Sequence, residues 1–488
     1  MAETSDQQQH LAGENHDRTK GKILAWSLWD WGSAAFNAVA TTFVFTVYLT
    51  TEDLFAPGNR ATTDLSIGLA FAGLVIALVA PVSGQRADHK GRGTRMLALF
   101  STLVTICMAL MFAVYPTSPL GKTGALWLGV ALLSFGNIFF EFASVNYNAM
   151  LSRVSTKENM GKVSGIGWGM GYLGGIILLG VLYVGFISPE VGWFGVTGEN
   201  FLNIRIAMVF ATIWFAVFSI PVIVALPGRR RGADGKLHPV TMAGVDSQDQ
   251  EPIGGLAGVK AAYIELWETI KRLAKTAPEI LRFLIASAIF RDGLAGVFTY
   301  GAILASTVFG LDGGQVMIFA IVANVVAGIA TIACGVADDF FGPKKVMVFS
   351  LVCMTCLGLT LFFAHNGGAK IFWSFGLLLC IFVGPVQSAS RSFLARIIPE
   401  GREGELFGLY ATTGRAVSFM SPTLFALFVW IGKLFVPAGA SSQHFGVLGI
   451  TLLLGTGLAL LIPLKAPAFN IASMSFDPET PLKAPEHR

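Results

Sequence analysis

The sequence predicts an all-α membrane protein of twelve transmembrane helices, arranged as two pseudo-symmetric six-helix bundles, and three observations carry that prediction. Of 488 residues, 53% are hydrophobic and only 13% charged, where a soluble domain carries about 25% charged residues. Apolar runs of the length an α-helix needs to cross about 30 Å of hydrocarbon recur along the whole chain, and lipid leaves helices as the way to satisfy their backbone polar groups. Finally, the chain repeats itself. GQRADHKGRGTR at 84–95 returns as GVADDFFGPKK at 335–345, pairing Gly84 with Gly335, Asp88 with Asp339 and Gly91 with Gly342.

The elements follow in order. Residues 1–22 read as a polar cytoplasmic tail, without the ordered regions of a signal peptide. Spans at 23–50, 65–85, 94–115, 125–151, 162–187 and 201–226 make an N-terminal bundle, residues 23–226; spans at 281–309, 313–338, 345–364, 371–391, 406–434 and 446–463 make a C-terminal bundle, residues 281–464. The repeated stretches read as tight charged loops between spans. Lys and Arg crowd alternate loops, such as Arg86/Lys90/Arg92/Arg95 and Lys344/Lys345, which places those loops and both termini in the cytoplasm. Residues 227–280 join the bundles: a flexible Gly, Asp and Gln-rich linker, then a helix with Val259, Tyr263, Leu266, Ile270, Leu273 and Ala277 on one side and Lys260, Glu268, Lys271, Arg272 and Lys275 on the other, suited to the membrane interface. Residues 465–488 form a second polar tail.

Composition also excludes functions. The net charge of +4 lies at span ends and in loops, so it sets orientation and gives no reason to expect nucleic acid. The five cysteines fall in apolar runs, and the Cys353/Cys356 pair lacks a second pair or a nearby histidine to make a metal site. All seven histidines lie in tails or loops. No metal or cofactor is expected, and no catalytic cluster marks an intramembrane enzyme.

The duplication extends further: AMLSRVSTKENMGKVSG, ending at Gly165, aligns with SFLARIIPEGREGELFG, ending at Gly408, so that Arg153 meets Arg396 and Gly161 meets Gly404. Internal repeats of this kind build many secondary transporters, with the solute site between the halves near the midplane. With the loop GxxxDxxGxxxR after the second span and its echo after the eighth, the whole chain resembles the major facilitator superfamily. WSLWDWGSAAFNAVATTFVFTVYLT, SGIGWGMGYLGG, GPVQSASRSFLARIIP and ELFGLY are similar to the bacterial branch related to the fungal vacuolar amino-acid effluxer. The resemblance implies two bundles rocking in alternating access, a cavity lined by helices one, four, seven and ten, and export of amino acids. The second loop departs from the pattern, with Pro343 where an arginine is usual.

Charges inside spans are costly and mark function by default. Here they are Asp30, Glu141, Arg291, Asp292, Arg391 and Arg415, and all but Arg415 fall on the helices the resemblance assigns to the cavity. Asn137, Glu141, Ser144 and Asn148 share one helical face; Asp30, Asn37, Thr41 and Tyr48 are expected to do the same, and Gly384, Gln387, Ser388 and Arg391 cluster. Such stripes line a wet cleft or hold helices together by hydrogen bonds. Three acids against three bases suit a zwitterion, an arginine taking its carboxylate and an acid its ammonium. The same residues equally admit internal pairing, leaving the solute to aromatic groups such as Trp29, Trp31, Trp168, Tyr172 and Tyr300. Glu141 is the candidate proton carrier. Asp88, Gly91, Arg92 and Asp339 are expected to gate, fastening the bundles on the cytoplasmic side. The glycines at 161–175 are expected to pack across the moving interface, Gly171 among them.

The function expected is therefore secondary active transport of a small polar solute, an amino acid or short peptide, coupled to protons, by a monomer in a bacterial inner membrane. The alternative is a drug or lipid exporter of the same fold, which predicts a greasier cleft with its charges paired away from it.

Overall fold

A computed structural model describes residues 19–465, apart from 52, 58–59, 89–91, 232–236, 240–263, 265–266, 269, 272, 276, 400–401 and 438–440; side chains at 81–82, 84–88, 229–231, 237–239, 313 and 317 are also outside the described set. Among the described residues, eleven helices are long and apolar enough to cross a membrane. A twelfth, with Arg291 and Asp292 at its middle, is as long as they are. In chain order the spans are α1 (Lys20–Ala34, continuing to Leu49), α2 (Arg60–Asp88), α3 (Gly93–Leu110), α4 (Gly121–Ala149), α5 (Met160–Leu182), α6 (Leu202–Ala225), α7 (Pro278–Thr307), α8 (Gly313–Phe341), α9 (Pro343–Phe363), α10 (Leu377–Ile397), α11 (Glu403–Gly432) and α12 (Gly446–Leu461).

Several boundaries differ from the sequence reading. Residues 86–88, beyond the expected span end at 85, continue α2, and 339–341 continue α8 beyond 338, so most of each repeated stretch before its second glycine is helix. The second turn shrinks to Gly342 alone, whose φ of 88° is open to glycine and ends α8 before Pro343 starts α9. The linker is not wholly without structure: Arg229–Arg231 pairs antiparallel with Leu237–Pro239, the only strands among the described residues. Of the amphipathic segment, Leu273 is buried, Ile270 and Ala277 are half-buried, and Glu268, Lys271 and Lys275 are exposed; Val259, Lys260, Tyr263, Leu266 and Arg272 lie outside the described residues.

In α1 the face expected to carry Asp30, Asn37, Thr41 and Tyr48 does not exist. Ala35–Phe43 is a π-helix, which changes the residue spacing, and Thr41 and Thr42 both donate to the Asn37 carbonyl at 2.7 Å. Tyr48 turns into the N-terminal bundle, where its hydroxyl donates to Val114 O at 3.0 Å.

α11 is the other departure. It was expected as one span, and it comes in two pieces, Glu403–Val417 and Met420–Gly432. Pro422 explains the break: without an N–H it leaves Ser418 O unbonded, and its ring crowds that carbonyl.

The α5 glycines sort onto two faces. Gly161, Gly165 and Gly169 meet α8: a Cβ on Gly165 would lie 2.8 Å from Thr331 O and 2.9 Å from Gly335 Cα. Gly171 and Gly174 instead meet α1 at Asp30 and Trp31 within the same bundle, so Gly171 does not pack across the interface between bundles as expected.

Candidate functional site

Among the described residues, every hydrogen bond between the bundles lies from mid-membrane toward the Gly342 end. Three layers build that contact.

At the Gly342 end, Asp339 on α8 accepts from the first-turn amides of α5, Gly161 N at 2.6 Å and Lys162 N at 2.9 Å. Those amides have no partner within their helix, and the positive end of its dipole favours a carboxylate. Arg396 on α10 holds both acids, Nη2 to Asp339 Oδ1 at 2.7 Å and Nη1 to Asp338 Oδ1 at 2.5 Å, and donates from Nε to Lys157 O at 3.2 Å. Ser392 Oγ donates to Asp338 Oδ2. The sequence reading singled out Asp339 and missed Asp338 and Arg396. Arg396 was visible in the repeat as the twin of Arg153, but the twins part company: Arg153 donates to Pro227 O at 2.8 Å, in its own half. Of the other gating candidates, Arg92 is exposed ahead of α3, Asp88 ends α2 with its side chain outside the described set, and Gly91 lies outside the described residues.

One layer deeper, Arg391 joins α10 to α1, α4 and α5. It donates to Asp30 Oδ2 at 3.2 Å, Asn148 Oδ1 at 3.1 Å, Ser164 Oγ at 3.0 Å and Ser164 O at 2.7 Å. Tyr147 donates a further bond to Asp30 Oδ2 at 2.9 Å. The WSLWDW run explains the setting: Trp26 and Trp29, three apart on α1, both stack on Tyr147, at centroid distances of 4.5 and 4.4 Å, and Arg391 lies 4.9 Å over Trp26. This pair is largely enclosed, its Arg391 and Asp30 side chains 4% and 15% exposed. Ser164, which links Arg391 to Ser388 O at 2.9 Å, gave no signal in the sequence, since small residues surround it.

The third layer sits near the middle of its helices. Arg415 on α11 reaches across to α4, donating from Nη2 to Glu141 Oε2 at 2.9 Å and Asn137 Oδ1 at 3.1 Å. This pair is open, its side chains 33% and 18% exposed. The expected α4 stripe is therefore real: Asn137 and Glu141 take Arg415, and Asn148, bonded to Ser144 at 3.2 Å, takes Arg391. Arg291 on α7 has no carboxylate partner among the described residues. It donates to Tyr410 O at 3.0 Å, stacks 3.7 Å over the Tyr410 ring, and has Gly414 making room beside its guanidinium. Asp292 pairs with no arginine among the described residues; its Oδ2 accepts from Ser421 N at 2.7 Å. On α10, Gln387 is half-buried with no hydrogen bond among the described residues, while Gly384 packs against Thr331. Asn37 is exposed in the π-helical part of α1, apart from these layers. Of the aromatic candidates, Trp31 stacks on Trp214, and Tyr300 on Phe425, each within its own bundle.

No group of three metal-ligating side chains occurs among the described residues. The arrangement offers instead two helical bundles that close at one end and hold polar groups between them.

Two six-helix bundles around a polar midplane define the major facilitator class of transporters, and solved structures agree. The chain superposes on the proton:xylose symporter XylE bound to 6-bromo-6-deoxy-D-glucose with a TM-score of 0.65, at 13% identity over 93% of this chain and 95% of that one. It superposes on a bacterial homologue of the iron transporter ferroportin with a TM-score of 0.61, at 12% identity over 91% and 98%. Within that class, residues 61–465 match the family described as "Vacuole effluxer Atg22 like", and the chain belongs to that family. It is 24% identical over 408 residues to an uncharacterized MFS-type transporter, YxiO, of Bacillus subtilis (strain 168), covering 83% of this chain and 87% of the relative. It is also 24% identical over 312 residues to Autophagy-related protein 22 of Yarrowia lipolytica, covering 61% of this chain and 51% of the relative. The chain thus spans about half the length of that fungal relative. It is an integral membrane transporter, not an enzyme.

Proposed function

We propose that the protein moves a small zwitterionic solute, an amino acid or a short peptide, by alternating access, driven by protons. One observation carries this reading: the half-open Glu141–Arg415 pair spans the two bundles, and Arg291, which holds Tyr410 on the same inner piece of α11 and lies against Gly414 next to Arg415, has no acid partner among the described residues. An intramembrane cation without a counter-ion is expensive to keep, and a solute carboxylate is the group it lacks. Protonating Glu141 removes the charge that holds Arg415 and frees a second guanidinium for the same carboxylate, so proton and solute binding help each other. Gln387 supplies a free amide.

The Asp30–Arg391 pair, its arginine buried and held by four bonds, is structural in this reading, a latch and not a subsite. Asp339, Asp338 and Arg396 form the outermost latch. If the basic loops lie in the cytoplasm, the contacts close the cytoplasmic end and the molecule faces outward. A bacterial inner membrane is favoured by the match to the Bacillus relative along most of both chains. One chain holds both bundles and the site between them, which supports a working monomer. Pairing of the charges is the observation a drug or lipid exporter predicts, but the Glu141 pair remains open to solvent, and that favours a polar cargo.

The test is uptake of a radiolabelled amino-acid mixture into proteoliposomes. Glu141→Gln, fixed in the protonated form's charge, is expected to keep counterflow and lose proton-driven accumulation. Full proton-driven uptake in this variant would overturn the coupling role.

A further inference from the structure

The break in α11 divides the helix by its attachments. The inner piece, Glu403–Val417, bonds to both bundles: Arg415 to Glu141 and Asn137 and Thr412 Oγ1 to Ala77 O on α2 at 3.0 Å on the opposite side, and Tyr410 to Arg291 and Ser390 on its own. The outer piece, Met420–Gly432, is tied to its own bundle. Asp292 of α7 receives the Ser421 amide, Tyr300 stacks on Phe425 at 4.0 Å, and Gly449 of α12 lies against Leu424 O. Asp292, Gly296 and Tyr300 recur every four residues, one face of α7. Gly296 belongs to that fit, because a Cβ there would run into Ser421 Oγ.

We infer that α11 bends at Ser418–Phe419 during transport, and that Asp292 is the positioning residue that pins the outer piece to α7 while the inner piece swings away from α2 and α4. Pro422 removes the helix bond that would make α11 a rigid rod, and Asp292, 7% exposed, supplies the acceptor that the Ser421 amide loses with it. The carboxylate also sits at the positive end of the outer piece's dipole, which holds it there without a cationic partner. Adjacent residues of α7 therefore grip the two pieces separately: Arg291 holds Tyr410 in the inner one, Asp292 holds Ser421 in the outer one. The inference rests on alternating access, not on which solute is carried.

Hydrogen exchange on the purified full chain tests it through two sets of amides. Ser421 reports the pin, and Gly161 with Lys162, bonded to Asp339 only while the Gly342 end is closed, report opening. Asp292→Ala is expected to speed Ser421 exchange about tenfold or more; unchanged exchange there would overturn the pin. Adding Pro422→Ala lets the helix close across the break, so the double variant is expected to regain Ser421 protection yet open about tenfold more slowly than wild type at Gly161 and Lys162. Opening at the wild-type rate, or Ser421 still unprotected, would overturn the hinge.

A disulfide gives a check independent of that folding. The missing Cβ of Gly296 lies 3.4 Å from Ser421 Cβ, near the ~3.8 Å of a disulfide, so Gly296→Cys with Ser421→Cys should bond the outer piece to α7. Opening within about twofold of the reduced protein is expected, because the outer piece stays in place. Loss of opening on oxidation would show α11 moving as one rod and would overturn the proposal.

Discussion

Arg391→Met is expected to cost about 3–5 kcal/mol of stability, because it leaves the Asp30 carboxylate in a largely buried site without its cation. Few positions in the chain concentrate so much. Four bonds radiate from this guanidinium to α1, α4 and α5, and three aromatic rings surround it within 6 Å, at 4.9, 5.6 and 5.8 Å. Tyr147 alone cannot satisfy the charge on Asp30. The double variant Asp30→Asn with Arg391→Met removes both charges and is expected to recover most of the loss, since a buried ion pair contributes little beyond the penalty for breaking it. Thermal unfolding in detergent measures both variants. A single variant as stable as wild type would mean that Tyr147 and solvent satisfy Asp30 without the arginine, contrary to this expectation.

Gly165→Leu is expected to hold the Gly342 end open. The added side chain would meet Thr331 O and Gly335 Cα, both backbone, so no rotamer change relieves the clash. Overpacking of this kind costs about 1–3 kcal/mol, and each 1.4 kcal/mol taken from the closed form shifts the closed-to-open ratio about tenfold. The penalty falls only on the closed form, because separated bundles leave room for the leucine. Spin labels at Lys157 and Lys345, exposed residues of opposite bundles at that end, would record the shift as a longer-distance population. An unchanged distance distribution would place the moving surface elsewhere than the α5–α8 contact.

Much of this was legible in the residues. The apolar runs and the doubled loop gave the two bundles, and the four-three-four spacing of Asn137, Glu141, Ser144 and Asn148 gave a face that the fold uses from end to end. What stayed hidden depended on partners from distant parts of the chain. Asp292 and Arg291 stand side by side in sequence, yet they grip separate pieces of α11, and which charge meets which is a property of packing. The α1 stripe failed because a π-helix at Ala35–Phe43 changes the period on which the spacing argument rests. The break in α11 was the more readable miss, since Pro422 inside an expected span is a known cause of kinks. Ser164 carried no signal: a serine in a glycine-rich helix becomes a ligand of Arg391 only once α10 is beside it.

The central claim is that a zwitterion binds at mid-membrane between Arg291 and the Glu141–Arg415 pair. A thermal-shift screen of the purified chain against amino acids, dipeptides and sugars tests it most directly, because a ligand that binds only the folded state at a hundred times its Kd adds about 2.7 kcal/mol of stability. Amino acids or dipeptides are predicted to raise the melting temperature of wild type and to leave Arg291→Gln unmoved. Stabilisation by sugars alone, or an amino-acid shift that persists undiminished in Arg291→Gln, would contradict the account.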